Sequence, residues 1–237
     1  MMRNTYNIFA KAVAVIAAVL MMNSCLEKMP GDYIPEEEAM VSLDGAEQIV
    51  TGIYTAYMGG GLYSGYLTIL PDIQADLVMA VEGNSNTYGE IYQWTFRPTN
   101  SEITSVYAGL YKVIGRCNFY LDQVEQLRAT LQSDDAITTL DQYTGEVYCA
   151  RALAYSELIK CFCEAYDPAT AENKLGVVLR SSYFKDEPVK RANLKDSYEF
   201  VIKDLDKAME LLEDEGNSYD APYFTEAAAR AVRARVA

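Results

Sequence analysis

The stretch "NLKDSYEFVIKDLDKAMELL", Asn193–Leu212, decides the fold class. Asn193 with Asp196 three residues on is a helix-opening pattern, because the asparagine side chain can accept from a first-turn N–H that has no helical partner. Tyr198, Val201, Ile202, Leu205, Met209 and Leu212 then recur at steps of three and four, giving an apolar stripe opposite a charged face. The same period extends toward both ends. Glu102–Leu131 turns Val106, Leu110, Val113, Ile114, Cys117, Leu121, Val124 and Leu127 inward. Asp135–Tyr166 does the same with Leu140, Val147, Ala150, Leu153, Ala154, Leu158 and Phe162. A further helix opens at Thr225 in "TEAAARAVRARVA" and stops at Ala237 without a cap, which reads as a cut sequence. Upstream, Asp44-Gly45-Ala46-Glu47 reads as a capping box ahead of Ile49, Val50, Ile53, Tyr54 and Tyr57, and Gly59-Gly60-Gly61 closes that helix. Helices paired through small alanine contacts suggest tetratricopeptide-like hairpins of irregular period. The expected fold is all-α.

One segment breaks the period. Leu62–Asn100 is rich in Gly, Asn, Ser and Tyr, with Pro71 and Pro98 as breakers. It is expected to hold one short helix or turn around Ile69–Met79, loops, and a short strand at Ile91–Phe96. Composition narrows the function. Half of the 237 residues are hydrophobic, enough for a sizeable core. A net charge of −14 repels nucleic-acid phosphates and anionic lipid. The complete absence of histidine removes Ser-His-Asp and Cys-His machinery, histidine metal ligands and imidazole acid–base catalysis. Tyrosine is abundant instead, at 19 against 7 Phe and 1 Trp. Each ring offers an apolar face and a hydrogen-bonding tip, which suits polar ligands, although most of these tyrosines are expected to fill helix interfaces.

Residues 1–24 read as a signal peptide: Arg3 and Lys11 precede the apolar run "AVAVIAAVLMM", whose 11 residues are too few to span a bilayer, where roughly 20 are needed. Ser24-Cys25 then resembles a lipobox, which makes Cys25 the expected lipidation site; an ordinary secreted product is the alternative. Loss of Arg3 and Lys11 with the leader leaves 18 basic and 34 acidic side chains, a net of −16. Residues 25–41, with Pro30, Gly31, Pro35 and Glu36-Glu37-Glu38, read as an extended tether, and 42–237 as the helical domain.

Several stretches together carry a family likeness. "SCLEKMPGD" (24–32), "GAEQIVTGIYTAY" (45–57), "YKVIGRCNFYLDQV" (111–124), "GEVYCARALAYSELIKCF" (145–162), the stretch quoted first, and "FTEAAARAVRARV" (224–236) follow one another in an order that resembles the N-terminal half of the SusD-like (RagB/SusD) family of Bacteroidetes outer-membrane nutrient-binding lipoproteins. The chain departs from the family pattern at "CFCEAYDP", where many members read Phe-Gly-Asp-x-Pro, and in having only Glu27 acidic just after Cys25. The resemblance implies a non-enzymatic binder without cofactors, held to the outer membrane by lipid and facing the exterior. Such a protein captures an oligosaccharide, or in some members a peptide, and passes it to a TonB-dependent (SusC-like) outer-membrane transporter. A helical-repeat adaptor lipoprotein that binds only protein is the alternative, and a glycoside hydrolase a remote one.

Sugar recognition needs aromatic faces for C–H surfaces and planar polar groups for hydroxyls. The cluster of that composition is Trp94, Tyr88, Tyr92, Tyr63 and Tyr66, with Asp72, Asp76, Asn84, Asn86 and Arg97 nearby. The competing reading has Trp94 and Phe96 plugging the helical core. Asp134-Asp135 and Glu213-Asp214-Glu215 could pair as hydrolase carboxylates, but a cap and a solvated helix end explain them more simply. Cys161-x-Cys163 lacks zinc spacing. With Cys117 and Cys149 it is expected to pack as small apolar surface, with a disulfide left open. Arg151, among alanines, is expected to be a structural ion-pair partner. "MGGGLYSG" lacks the Lys-Ser/Thr of a phosphate-binding loop.

Overall fold

Five of the helices open where a side chain can satisfy a first-turn N–H. The computed structural model describes residues 35–79, 81, 83, 87–186, 189–212 and 221–237. Helix α1 (Leu43–Tyr57) is capped by Ser42, whose Oγ accepts from the Gly45 N–H at 3.2 Å, so the cap lies two residues before the expected Asp44. The short α2 (Tyr66–Gln74) and the single turn α3 (Gly89–Tyr92) follow. Asn100 caps α4 (Ser101–Arg128) by accepting from both the Glu102 and Ile103 N–H groups. Ser133 caps α5 (Asp134–Phe162), Asn193 caps α6 (Leu194–Leu211) at 2.7 Å, and Thr225 caps α7 (Glu226–Val236). Each such cap contributes about 1 kcal/mol.

Residues 37–237 form one compact unit, with α5 at its centre. Helix α5 packs against α1, α4 and α6, and runs antiparallel to α4, as the partners Arg128–Asp141, Tyr120–Thr144 and Asn118–Arg151 show. It also runs antiparallel to α6, through Arg151–Asp204 and Tyr155–Phe200. The stripes read from the sequence face inward: Leu110, Ile114, Leu140, Leu158 and Leu205 are completely buried. Gly145 permits the close approach of α5 to the end of α6, since a Cβ there would stand 2.7 Å from Leu212 Cγ.

Arg151 is the ion-pair partner expected. Its Nε and Nη2 donate to the two Asp204 oxygens at 2.7 Å each, Nη1 donates to Asn118 Oδ1 at 2.8 Å, and the guanidinium lies 5.1 Å from the Phe200 ring centre. Asn118 in turn donates to the Arg180 carbonyl at 2.9 Å, which ties α4, α5, α6 and the segment after β1 into one network. Removal from water pushes the Asp204 carboxyl above its ordinary value despite the pull of Arg151.

The region between α5 and α6 holds what the periodicity did not announce. Strands β1 (Leu175–Val178) and β2 (Arg191–Asn193) pair antiparallel, with Leu175 opposite Asn193, Val178 opposite Arg191, and a register irregularity between. Helix side chains bond the backbone of β1 and of the residues just after it. Tyr111 Oη donates to the Val178 carbonyl and accepts its N–H, and Tyr155 Oη does the same for Arg180. Helix α5 stops four residues before the expected Tyr166 because Cys163 turns extended, and Arg191 takes up the freed Phe162 carbonyl at 3.1 Å. Helix α4 ends at Arg128 rather than Leu131, where the Thr130 hydroxyl bonds the Leu127 carbonyl.

Cys117, Cys149, Cys161 and Cys163 are free thiols. Burial pushes the Cys149 thiol up to about 12. Cys161, expected to pack inward, is exposed instead. Of the expected tether, Glu36–Glu38 forms a short 3₁₀ turn and Met40 is buried. The signal peptide, Cys25, the earlier part of the tether, Asn84, Asn86 and Glu213–Glu215 lie outside the described residues. Among the described residues no helix is long and apolar enough to cross a membrane.

Candidate functional site in the segment 62–100

Apolar anchors fix this segment and leave its polar and aromatic side chains outside. Leu62, Leu67, Leu70, Ile73 and Ile91 are buried, and α2 packs on both α3 and α4. Gly65 allows the entry into α2, because a Cβ there would collide with the Gly60 carbonyl oxygen. The strand expected at Ile91–Phe96 is absent. Tyr92 and Gln93 donate to the carbonyls four residues back, at 2.9 and 3.0 Å, and Trp94 bonds Ile91 across a turn. Gly89 joins that helical turn, and among the described residues no neighbouring strand offers a ladder to these residues.

Among the described residues, three non-glycine positions have positive φ: Asp76 (58°), Tyr88 (62°) and Trp94 (58°). All three lie in this segment and in the cluster picked from the sequence. Left-handed backbone costs a residue with a Cβ roughly 1–2 kcal/mol, and such strain concentrates at ligand-binding positions. Trp94 is 63% exposed, which rules out the core-plug reading for it. Its ring centre lies 6.2 Å from that of Phe96, which is half-buried against the core.

Two crevices share a wall made of Phe96, Ile103 and Phe162. The first, of about 150 Å³, is lined further by Tyr66, Leu70, Gln74 and Ile91. The second, of about 590 Å³, adds Arg97, Pro98, Thr104 and Tyr107. Of the predicted residues, Tyr66 and Arg97 face these crevices. Tyr88 packs edge-on to Tyr66, with ring centres 6.1 Å apart. Tyr92 is half-buried against the core, and Asp72, Asp76 and Arg97 are exposed.

Tyr63 is drawn away to α5. It donates to Glu157 Oε1 at 3.3 Å and packs on Tyr57, while the Glu157 side chain, 2% exposed, also pairs with Lys160 and Arg235. Burial first, then the Glu157 charge, push the Tyr63 phenol above its ordinary value, so it remains a neutral donor. Tyr107 is not among the residues expected from the sequence, yet it is 40% exposed and meets Phe162 edge-on at 5.2 Å. Its spacing of four from Tyr111 is the signal for it, masked because neither residue belongs to the inward stripe of α4.

Asp134 and Asp135 occupy the first turn of α5, where they complement its exposed N–H groups. Among the described residues no group of three or more His, Cys, Asp or Glu could hold a metal ion. The segment offers aromatic faces, an apolar crevice, a guanidinium and the Gln74 amide, groups that can pack on an apolar face and hydrogen-bond to polar edges.

The model of a SusD-like family, described as "Starch-binding associating with outer membrane", matches residues 18–237. Among solved structures, a SusD superfamily protein from Bacteroides fragilis aligns with a TM-score of 0.70 at 25% identity, over 84% of this chain and 46% of its own. A SusD superfamily protein from Bacteroides thetaiotaomicron gives 0.70 at 24% identity, over 83% and 42%. A SusD-like carbohydrate binding protein from Bacteroides vulgatus gives 0.64 at 14% identity, over 82% and 41%. This chain spans less than half the length of these structures. No curated protein matches it.

Proposed function

The chain belongs to the SusD-like family, and from that premise we propose that it captures carbohydrate at the outer membrane through the segment 62–100. The observation that carries this reading is Trp94, an exposed indole on a left-handed turn beside an apolar crevice. Burying that ring would add stability, and leaving it out is explained by a ligand that covers it. The indole takes the C–H face of a sugar ring, and Arg97, Gln74 and the Tyr88 and Tyr66 hydroxyls serve its hydroxyl edge. Of the other predicted residues, Tyr63 and Tyr92 brace the segment against the core, Asp72 and Asp76 stand exposed on it, and Asn84 lies outside the described residues.

The protein acts as a binder and hands its ligand, chemically unchanged, to a TonB-dependent transporter. Cys25 carries the acyl chains that hold it to the membrane, facing the exterior. Calorimetry with soluble starch, maltoheptaose and a panel of other glycans tests the binding reading. Saturable heat with wild type, and a loss of at least tenfold in affinity for Trp94→Ala, is expected. Binding of peptides but of no glycan would replace the ligand class, and release of reducing sugar would make the protein a hydrolase. Metabolic acyl labelling of wild type, lost in Cys25→Ala, tests the anchor.

A further inference from the structure

A second group of exposed rings stands on the loop that follows β1. Tyr183 is 44% exposed and Phe184 55%, and both pack on Phe119 of α4. The three ring centres lie 5.1–5.8 Å apart, so they form one aromatic surface rather than three separate side chains. Exposed aromatic patches of this kind mark binding surfaces, since a soluble chain gains nothing by displaying them.

The loop is built to hold the rings outward. Asp122 Oδ2, one turn along α4 from Phe119, accepts from the Ser182 hydroxyl and the Tyr183 N–H at 2.7 Å and from the Phe184 N–H at 3.2 Å. Ser182 in turn accepts from the Lys185 N–H, and Arg180 donates to the Lys185 carbonyl. Upstream, Arg180 is tied by Tyr155 and Asn118. A loop held this way loses little freedom when a ligand arrives. Among the described residues these bonds all fall on Oδ2, which leaves the Oδ1 lone pairs of an exposed carboxylate beside the rings for a donor. One turn before Phe119, a Cβ on Gly115 would meet nothing within 4 Å, so the surface next to the platform is open.

The geometry points to Phe119, Tyr183 and Phe184 forming a second sugar-stacking platform, with Asp122 Oδ1 accepting from a ligand hydroxyl. This rests on the carbohydrate-binding reading above and adds a site to it. A hydrogen-bonding carboxylate oxygen next to the rings suits a hydroxylated ring better than the apolar side chain of a protein partner, which would bury Asp122 Oδ1 without a donor under a dry interface. The platform is separate from the first site. Tyr107, at the crevice, and Phe119 are twelve residues apart on α4, about 18 Å along the axis and a third of a turn around it. A polysaccharide can reach both, and the two contacts then strengthen each other by tethering.

Affinity electrophoresis of the 237-residue chain in gels cast with soluble starch, alongside analytical ultracentrifugation, tests this. The Tyr183→Ala/Phe184→Ala variant should melt like wild type, since both rings are exposed, yet bind starch roughly three- to tenfold more weakly. Phe184→Trp should hold or restore affinity. The losses from Trp94→Ala and from the double variant should multiply when combined. Binding untouched in the double variant, while Trp94→Ala loses it, overturns the platform and spares the first site. Wild type that retards in no polysaccharide removes the carbohydrate reading and the platform with it. Self-association of wild type that the double variant abolishes, with starch binding unchanged, assigns the rings to a dimer contact and overturns the proposal.

Discussion

The α4–α5–α6 core and the segment 62–100 solve opposite problems within one chain. In the core, the charge of Arg151 is turned inward and matched by Asp204 and Asn118. In the segment, a tryptophan is turned outward and its backbone is held in a conformation a tryptophan disfavours. The core therefore places its side chains for stability, while the segment keeps strain and exposure of the kind found at ligand-binding positions. The contrast separates substitutions that unfold the protein from those that silence it.

The largest effect is expected at Arg151. Its replacement by Ala strands Asp204 in the core and should lower stability by about 3–5 kcal/mol, read from urea unfolding. A loss below about 1 kcal/mol would mean the network is not a keystone. Tyr155→Phe removes the hydroxyl that serves both the N–H and the carbonyl of Arg180. It should cost about 1–3 kcal/mol in the same assay. Trp94→Gly reverses the pattern. Glycine accepts positive φ freely, so the urea midpoint should correspond to within about 1 kcal/mol of wild type while glycan affinity collapses. Equal losses of stability and binding would erase the distinction between the two regions. The smallest effect is a gain: Gly115→Ala should add about 0.5–1 kcal/mol, because the new methyl meets open space in a helix interior.

The difference also explains what the sequence made legible. Helices α4–α7 could be read because apolar stripes and the caps Asn193 and Thr225 are local signals. Arg151 could be read as an ion-pair partner because an arginine among alanines has few other uses inside a protein. The β1–β2 pair could not, since three or four residues carry no period and side chains distant in sequence bond them, Tyr111 at Val178 and Ser197 at the Val177 N–H. The strand expected at Ile91–Phe96 does not form for a related reason: among the described residues these β-prone side chains have no partner strand, and turn bonds from Tyr88 to Thr95 satisfy the backbone instead. Composition located the exposed aromatics of the segment, yet it could not tell that Tyr63 turns to Glu157 or that Tyr107 borders the crevice. The aromatic platform on the β1 side was invisible too, because Phe119 and Tyr183 meet only in the fold.

Trp94 is the one tryptophan in the chain, so its fluorescence reports on the proposed site without labelling. Titration of the wild-type chain with soluble starch and maltoheptaose, run in parallel with calorimetry, tests the central claim. A saturable blue shift or quench, with the same midpoint as the heat of binding, is the predicted result. Heat of binding with Trp94 emission unchanged at saturation would contradict it, placing the sugar elsewhere on the protein.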